Sequence, residues 1–367
     1  MNTNNTNEKA TFQTAAKQET AAIFPGDFDK KRKSHLFDGL SQITNKQAAI
    51  DEIETDFITV TYKDITVRSN SKTGFTPGTS QFVDFLLIMH NEKGGKDNDV
   101  LFTIDEYMEK RGLTNRKSAS QMIKKRMNQI YEASLSWKEM TYEKKKLVSK
   151  AFNDVRITTS KGGKEYANGR GIYHVTFSPE MNDYLQSDYC KRIMNYPRAL
   201  QRIDTSKNPA AYQIGKYISE FKDIRESKGQ PGDLLSVKKI LEHCTSIPTY
   251  DEVQKKDRTY SRSIIEPFEK ALNALPFIQW EYAKSKGQAL TDDECTHLGD
   301  MKVFLSCYIK IIWIEYPDMT KIQENRQKYI EASKVRKEKA KLKAATEIEK
   351  KKLEAAEAAK ATASPTA

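Results

Sequence analysis

The 367-residue chain sets 61 Lys and Arg against 50 Asp and Glu, a formal net charge of +11 with a pI near 9.1, which points to a polyanionic partner. Its longest apolar stretch, around Val303 to Ile314, is broken by Ser306 and Lys310 and falls short of the roughly 18 apolar residues of a membrane span, so no membrane role is expected. Four cysteines without a C-x-x-C pair argue against a disulfide framework, and an Asn/Thr-rich start without a cationic and apolar leader makes the cytoplasm the expected compartment.

Residues 1–50 are rich in Asn, Thr, Gln and Lys and lack sustained periodicity, so a disordered N-terminal arm is expected, with the basic cluster Lys30 to Lys33 solvated. Phe57 to Val67 alternates and is β-branched, which predicts one or two strands. Gln81 to His90 reads as a helix with Phe82, Phe85, Leu86 and Met89 on one face, and Val100 to Phe102 as a short strand.

From Thr103 to Ile130 the chain has the outline of a helix-turn-helix. Thr103 and Glu106 have the spacing of a reciprocal capping box, and Gly112 suits the left-handed residue that ends a helix. Between Lys110 and Lys150 there are 12 Lys or Arg against 3 Glu, most of the chain's net charge. In the second helix Ala119, Met122, Ile123, Met127 and Ile130 form the inward stripe. That leaves Arg116, Lys117, Ser120, Gln121, Lys124 and Asn128 outward. Arg chelates guanine, and Gln or Asn bridges adenine, so Arg116, Lys117, Ser120 and Gln121 are expected to read bases. Lys124, Lys125 and Arg126 are expected on phosphates, with Arg126 leaning inward.

After Leu135 to Tyr142, Val155 to Thr159 and Ile172 to Phe177 read as two strands around a Gly-rich tip bearing Lys161, Lys164 and Arg170, the pattern of a wing. Ser178-Pro179 caps a helix to about Leu185. The second half repeats these events. Asn208 to Ser227 is a helix, Leu234 to His243 a strand-like entry and short helix, Arg258 to Leu275 holds a third helix, and Ile278 to Ala283 with Met301 to Tyr316 closes a hairpin. Ile265, Leu272 and Trp280 echo Ile123, Ile130 and Trp137, with extra residues between the second and third helices. Pro267 either starts or kinks that third helix, so Arg258, Tyr260 and Arg262 would stand at or before its N-terminus, where a phosphate is attracted. The expected organisation is an α+β fold of two tandem winged-helix domains, 51–186 and 187–317, each a helix-turn-helix plus β-hairpin, with a charged helical or disordered tail over 318–367.

Catalytic patterns do not emerge. Lys161-Gly-Gly-Lys164 lacks the Ser or Thr of a P-loop, and no Gly-x-Ser-x-Gly elbow occurs. The histidines His35, His90, His174, His243 and His297 are never paired at metal-ligand spacing, which disfavours a rolling-circle nicking enzyme. The adjacent pair His243-Cys244 and Cys295-x-His297 are poorly disposed to one tetrahedral zinc. No enzyme activity, cofactor or metal is expected.

Two consecutive winged-helix units with a basic recognition helix in each and charged ends resemble the replication initiator (Rep) proteins of theta-replicating bacterial plasmids. The residues carrying the likeness are Phe177 to Glu180, Tyr196-Pro-Arg198 through Ala211 to Gly215, and Arg262 to Leu272 followed by Trp280, within roughly residues 55–316. The resemblance implies that both units bind repeats in double-stranded origin DNA and recruit the host helicase loader and initiator. It also implies dimers that repress their own promoter beside monomers that bind the origin repeats. A transcriptional regulator using the same domains is the alternative.

Overall fold

The computed structural model describes residues 28–43, 50–93, 98–143, 146–159, 162–167, 170–190, 192–255 and 259–314. In chain order these form β1 (Phe28–Lys33), α1 (His35–Leu40), β2 (Ile50–Ile53), β3 (Phe57–Tyr62), β4 (Ile65–Asn70), α2 (Pro77–Glu92), β5 (Asp99–Thr103), α3 (Ile104–Arg111), α4 (Arg116–Tyr131), β6 (Ser134–Glu143), β7 (Lys146–Arg156), β8 (Gly163–Ala167), β9 (Arg170–Thr176), α5 (Pro179–Gln186) and β10 (Arg192–Pro197). Then follow α6 (Arg198–Arg202), α7 (Pro209–Glu226), β11 (Leu234–Ser236), α8 (Val237–Glu242), α9 (Tyr250–Lys255), a π-helical turn (Ser261–Ile265), α10 (Glu266–Asn273), β12 (Ile278–Ala283), α11 (Asp292–Thr296), α12 (Met301–Ser306) and β13 (Tyr308–Trp313). The class is mixed α and β.

Two of the four antiparallel sheets among the described residues share one plan. In the first half a three-stranded sheet has the order β5-β9-β8, and in the second a three-stranded sheet has the order β11-β13-β12. In both, the first strand leads into a short helix, a longer helix follows, and the last strand lies between the other two. Phe57 to Val67 forms two strands, paired as a hairpin through Lys63-Asp64 with Lys63 at φ 57°, inside a five-stranded sheet of order β2-β3-β4-β6-β7. The core divides in two. One cluster runs from Leu36 to Cys190 and includes Phe85, Phe102, Ile123 and Trp137, while the other runs from Tyr196 to Ile311, with Ile88 of α2 added.

The expected arm is partly built into this core. Composition placed residues 28–43 with the solvated terminus, yet β1 pairs along its whole length with β10, and Leu36, Phe37 and Leu40 of α1 are buried. Lys31, expected in solvent, is sealed at 0% exposure with its ammonium 2.7 Å from Asp84. Lys216 of α7 lies 3.1 Å from the same carboxylate, and the Tyr212 hydroxyl donates to it at 2.6 Å. A charge run is solvated only when no counter-charge waits inside, and here α2 supplies one. Burial drives the Asp84 pKa up, but Lys216 and Lys31 outweigh it and hold the carboxyl below its usual range. This also explains why α2 is buried all round instead of on the one face its apolar spacing predicts: β1, α1 and α7 pack onto it besides its own half.

Beside this cluster, Asp38 of α1 meets Glu220 of α7. The Asp38 Oδ1 and Glu220 Oε1 atoms are buried, no protein group donates to them as ionised oxygens, and the two carboxyls are within hydrogen-bonding reach of each other. Asp38, held ionised against burial chiefly by Lys33, can accept from a protonated Glu220. Burial, then the neighbouring Asp38 charge, push Glu220 up to about 8.

Candidate nucleic-acid interface

The helix-turn-helix forms from local causes. Thr103 Oγ1 accepts from the Glu106 amide at 3.1 Å and Glu106 Oε2 accepts from the Thr103 amide at 2.6 Å, closing the capping box. Gly112 takes φ 62°, its amide donates to Glu109 O at 3.2 Å, and the Leu113 amide donates to Met108 O at 2.9 Å, so α3 stops there. Asn115 then caps α4, its Oδ1 accepting from the Ser118 amide at 2.9 Å.

On α4, Ala119, Ile123, Met127 and Ile130 are buried and Met122 is half-buried. Lys117, Gln121, Lys124, Lys125 and Asn128 are all exposed. The spacing of Lys117, Gln121, Lys124 and Asn128 places them along one stripe, with Lys125 one turn from Gln121. Arg116, at the helix start, ion-pairs with Asp105 of α3, and both side chains are more than half exposed. Such a pair is worth at most about 1 kcal/mol, so the guanidinium is available to a stronger anion.

Two neighbours are used differently from the expectation. The Ser120 hydroxyl is half-buried and bonds to the Tyr173 hydroxyl at 2.9 Å, tying α4 to β9 instead of facing a base. Arg126 does not reach outward to phosphate. Its guanidinium donates to Thr76 Oγ1 at 2.9 Å and Gln129 Oε1 at 2.8 Å, and burial, with Arg111 nearby, pulls its pKa below the ordinary guanidinium value. The helix turns 100° per residue, so the residue beside Lys125 falls on the edge of the packed face.

The hairpin beside α4 also differs from its expected bounds. Val155 and Arg156 end β7, paired with β6, and the hairpin of this sheet is β8 with β9. Lys164 therefore sits within a strand opposite Tyr173, and Arg170 opens β9 opposite Ala167. Lys161 lies outside the described residues. Strand β6 pairs with β7, an additional antiparallel pair between α4 and β8.

In the second half Arg258 lies outside the described residues, whereas Tyr260 and Arg262 precede α10. Pro267 stands in the first turn of α10, which starts at Glu266 as its place in the sequence predicts. The chain enters through the π-helical turn Ser261–Ile265, and the proline is tolerated because a first-turn amide has no partner within the α-helix. Arg262 is exposed, and Tyr260 stacks on Tyr250 of α9 at 4.7 Å between centroids. Helix α9 was missed, although Thr249-x-x-Glu252 is a capping box, with the Thr249 amide donating to Glu252 at 2.7 Å. Met301 to Ser306, expected as strand, is helical because Asp300 caps it, its Oδ1 accepting from the Lys302 amide at 2.8 Å. Among the described residues no three His, Cys, Asp or Glu are grouped to hold a metal, and no helix is long and apolar enough to cross a membrane.

No protein-family model and no curated protein matches this sequence. Among solved structures the chain is similar to a selenomethionine derivative of domains 2 and 3 of RctB, at 10% identity and TM-score 0.39, covering 75% of this chain and 98% of that one. It is similar also to a second structure of RctB domains 2–3, at 9% identity and TM-score 0.37, covering 76% and 97%. Superpositions this loose carry no functional weight.

Proposed function

We propose that this chain is a sequence-specific double-stranded DNA-binding protein without enzymatic activity, an initiator of plasmid replication whose halves are tandem winged-helix domains. The observation that carries the reading is the exposed stripe of α4, with Lys117, Gln121, Lys124 and Asn128 side by side and Lys125 adjacent, on a packed helix whose cap and turn hold it rigid. Such a stripe offers ammonium groups to phosphates and amides to base edges, with Gln121 near the N-terminal half that enters a major groove. Recurrence of the same strand order in the second half supports a second grip, with Arg262 and Tyr260 its candidate contacts. Recruitment of host helicase or initiator proteins, and a homodimer, belong to this proposal through the Rep resemblance.

The test is a binding-site selection from random duplexes, followed by titration of the recovered duplex against a scrambled one. Gln121→Ala should lower preference at particular base pairs by about 1 to 3 kcal/mol. Lys124→Ala should weaken both duplexes alike and reduce the salt slope by about one. Equal losses on both duplexes for every α4 variant would overturn the reading, and a promoter palindrome bound without support of plasmid replication would replace the initiator by a regulator.

A further inference from the structure

The second half exceeds the first in two places. Between α8 and the π-helical turn it inserts residues 243–260, containing α9, where the first half has only 112–115 between α3 and α4. Between β12 and β13 it inserts 284–307, containing α11 and α12, where the first half has only 168–169. Neither addition is needed for a three-helix, three-strand frame, because the first half completes the same strand order without them.

Together the two additions wall a groove of about 630 Å³. Ile247, Ile264 and Met301 make a buried apolar floor, and the half-buried Leu241 and Leu305 line it further. Among the described lining residues, Glu242, Asp251 and Glu252 stand against Lys238. A surplus of carboxylates on a chain of net +11 is a local inversion of charge, and it repels a DNA backbone. The volume lies in the range of built ligand pockets, and apolar floor with charged rim is the pattern of a groove that takes a peptide by its anchor side chains.

We propose that this groove docks a short segment of a partner protein, with two or three apolar anchor residues flanked by Lys or Arg. The anchors fill the floor between α8, α9 and α12. The flanking cations meet Glu242 and Asp251. The groove and the α4 stripe belong to different elements; the candidate contact Tyr260 stacks on Tyr250 at the groove wall, and the rim variant leaves both tyrosines in place.

The experiment selects a displayed library of random peptides on the full chain, then measures the recovered peptides by fluorescence anisotropy against the wild type, Leu305→Asp, and the double variant Glu242→Gln with Asp251→Asn. DNA binding is measured on the same samples. The recovered peptides are expected to combine apolar residues with Lys or Arg, to be lost on Leu305→Asp, and to weaken about tenfold on the rim variant. The rim side chains are exposed, so that variant keeps the fold, and DNA affinity is expected unchanged in it. A library that yields no binder, peptides enriched in Asp or Glu, or affinities equal for wild type and rim variant would each overturn the proposal. Displacement by duplex DNA would assign the groove to nucleic acid instead.

Discussion

Glu220→Gln isolates the proton that Glu220 holds beside Asp38. The unfolded chain releases a glutamate proton near pH 4.5, whereas the folded chain holds this one up to about 8, because burial and the Asp38 carboxylate disfavour the ionised form. Between those values the native state binds the extra proton, so stability is fully present below the unfolded pKa and falls as pH rises. The slope reaches about 1.4 kcal/mol per pH unit, which amounts to roughly 4 to 5 kcal/mol over the window. Lys31, Lys33 and Lys216 face the pair and oppose the shift; Tyr62 and Tyr217 border it. Glutamine donates as the protonated acid does and does not ionise. Urea unfolding followed by tryptophan fluorescence should therefore find the two proteins about equal near pH 5 and the variant more stable by several kcal/mol at pH 8. The His243 pKa is lowered mainly by burial, and its contribution is common to both proteins and cancels in the difference. Parallel stability profiles would refute a protonated Glu220 in the folded chain.

Asp84→Ala leaves Lys31 and Lys216 buried without their common carboxylate and should cost about 3 to 5 kcal/mol, read from the denaturation midpoint. Gly112→Ala forces a side chain into φ 62°, with Arg202 3.3 Å from the new Cβ, and should destabilise by about 1 to 2 kcal/mol in the same assay. Ser120→Ala loses the bond to Tyr173 and should cost about 1 kcal/mol of stability while leaving base preference unaltered, which a binding-site selection would check. A changed preference in that variant would restore Ser120 as a base reader.

The parts read correctly before folding are those whose causes are local. The capping box at Thr103 and Glu106, the left-handed Gly112, the inward stripe of α4 and the helix from Pro209 are each specified within a few turns of chain. Exposure of Lys117, Gln121, Lys124, Lys125 and Asn128 follows from that stripe by helical period alone. Helix α9 was legible in principle from Thr249-x-x-Glu252, but its short span and the following charged residues masked the signal.

Ser120 and Arg126 show where periodicity stops being enough. Both lie at the margin of the outward face, and what each bonds is set by Tyr173, Thr76 and Gln129, brought there by other elements. The basic run from Lys30 is the larger case. Its fate depends on Asp84, 53 residues away, which Lys216 meets from 132 residues beyond it, and nothing near Lys31 distinguishes a buried ammonium from a solvated one. Sequence alone therefore determined the capped basic helix-turn-helix, because hydrogen bonds between near neighbours and a 3.6-residue period suffice to form it. Only the tertiary structure decided that β1 and α1 join the core, because desolvating Lys31 becomes tolerable only where a distant carboxylate and a second half of the molecule close around it.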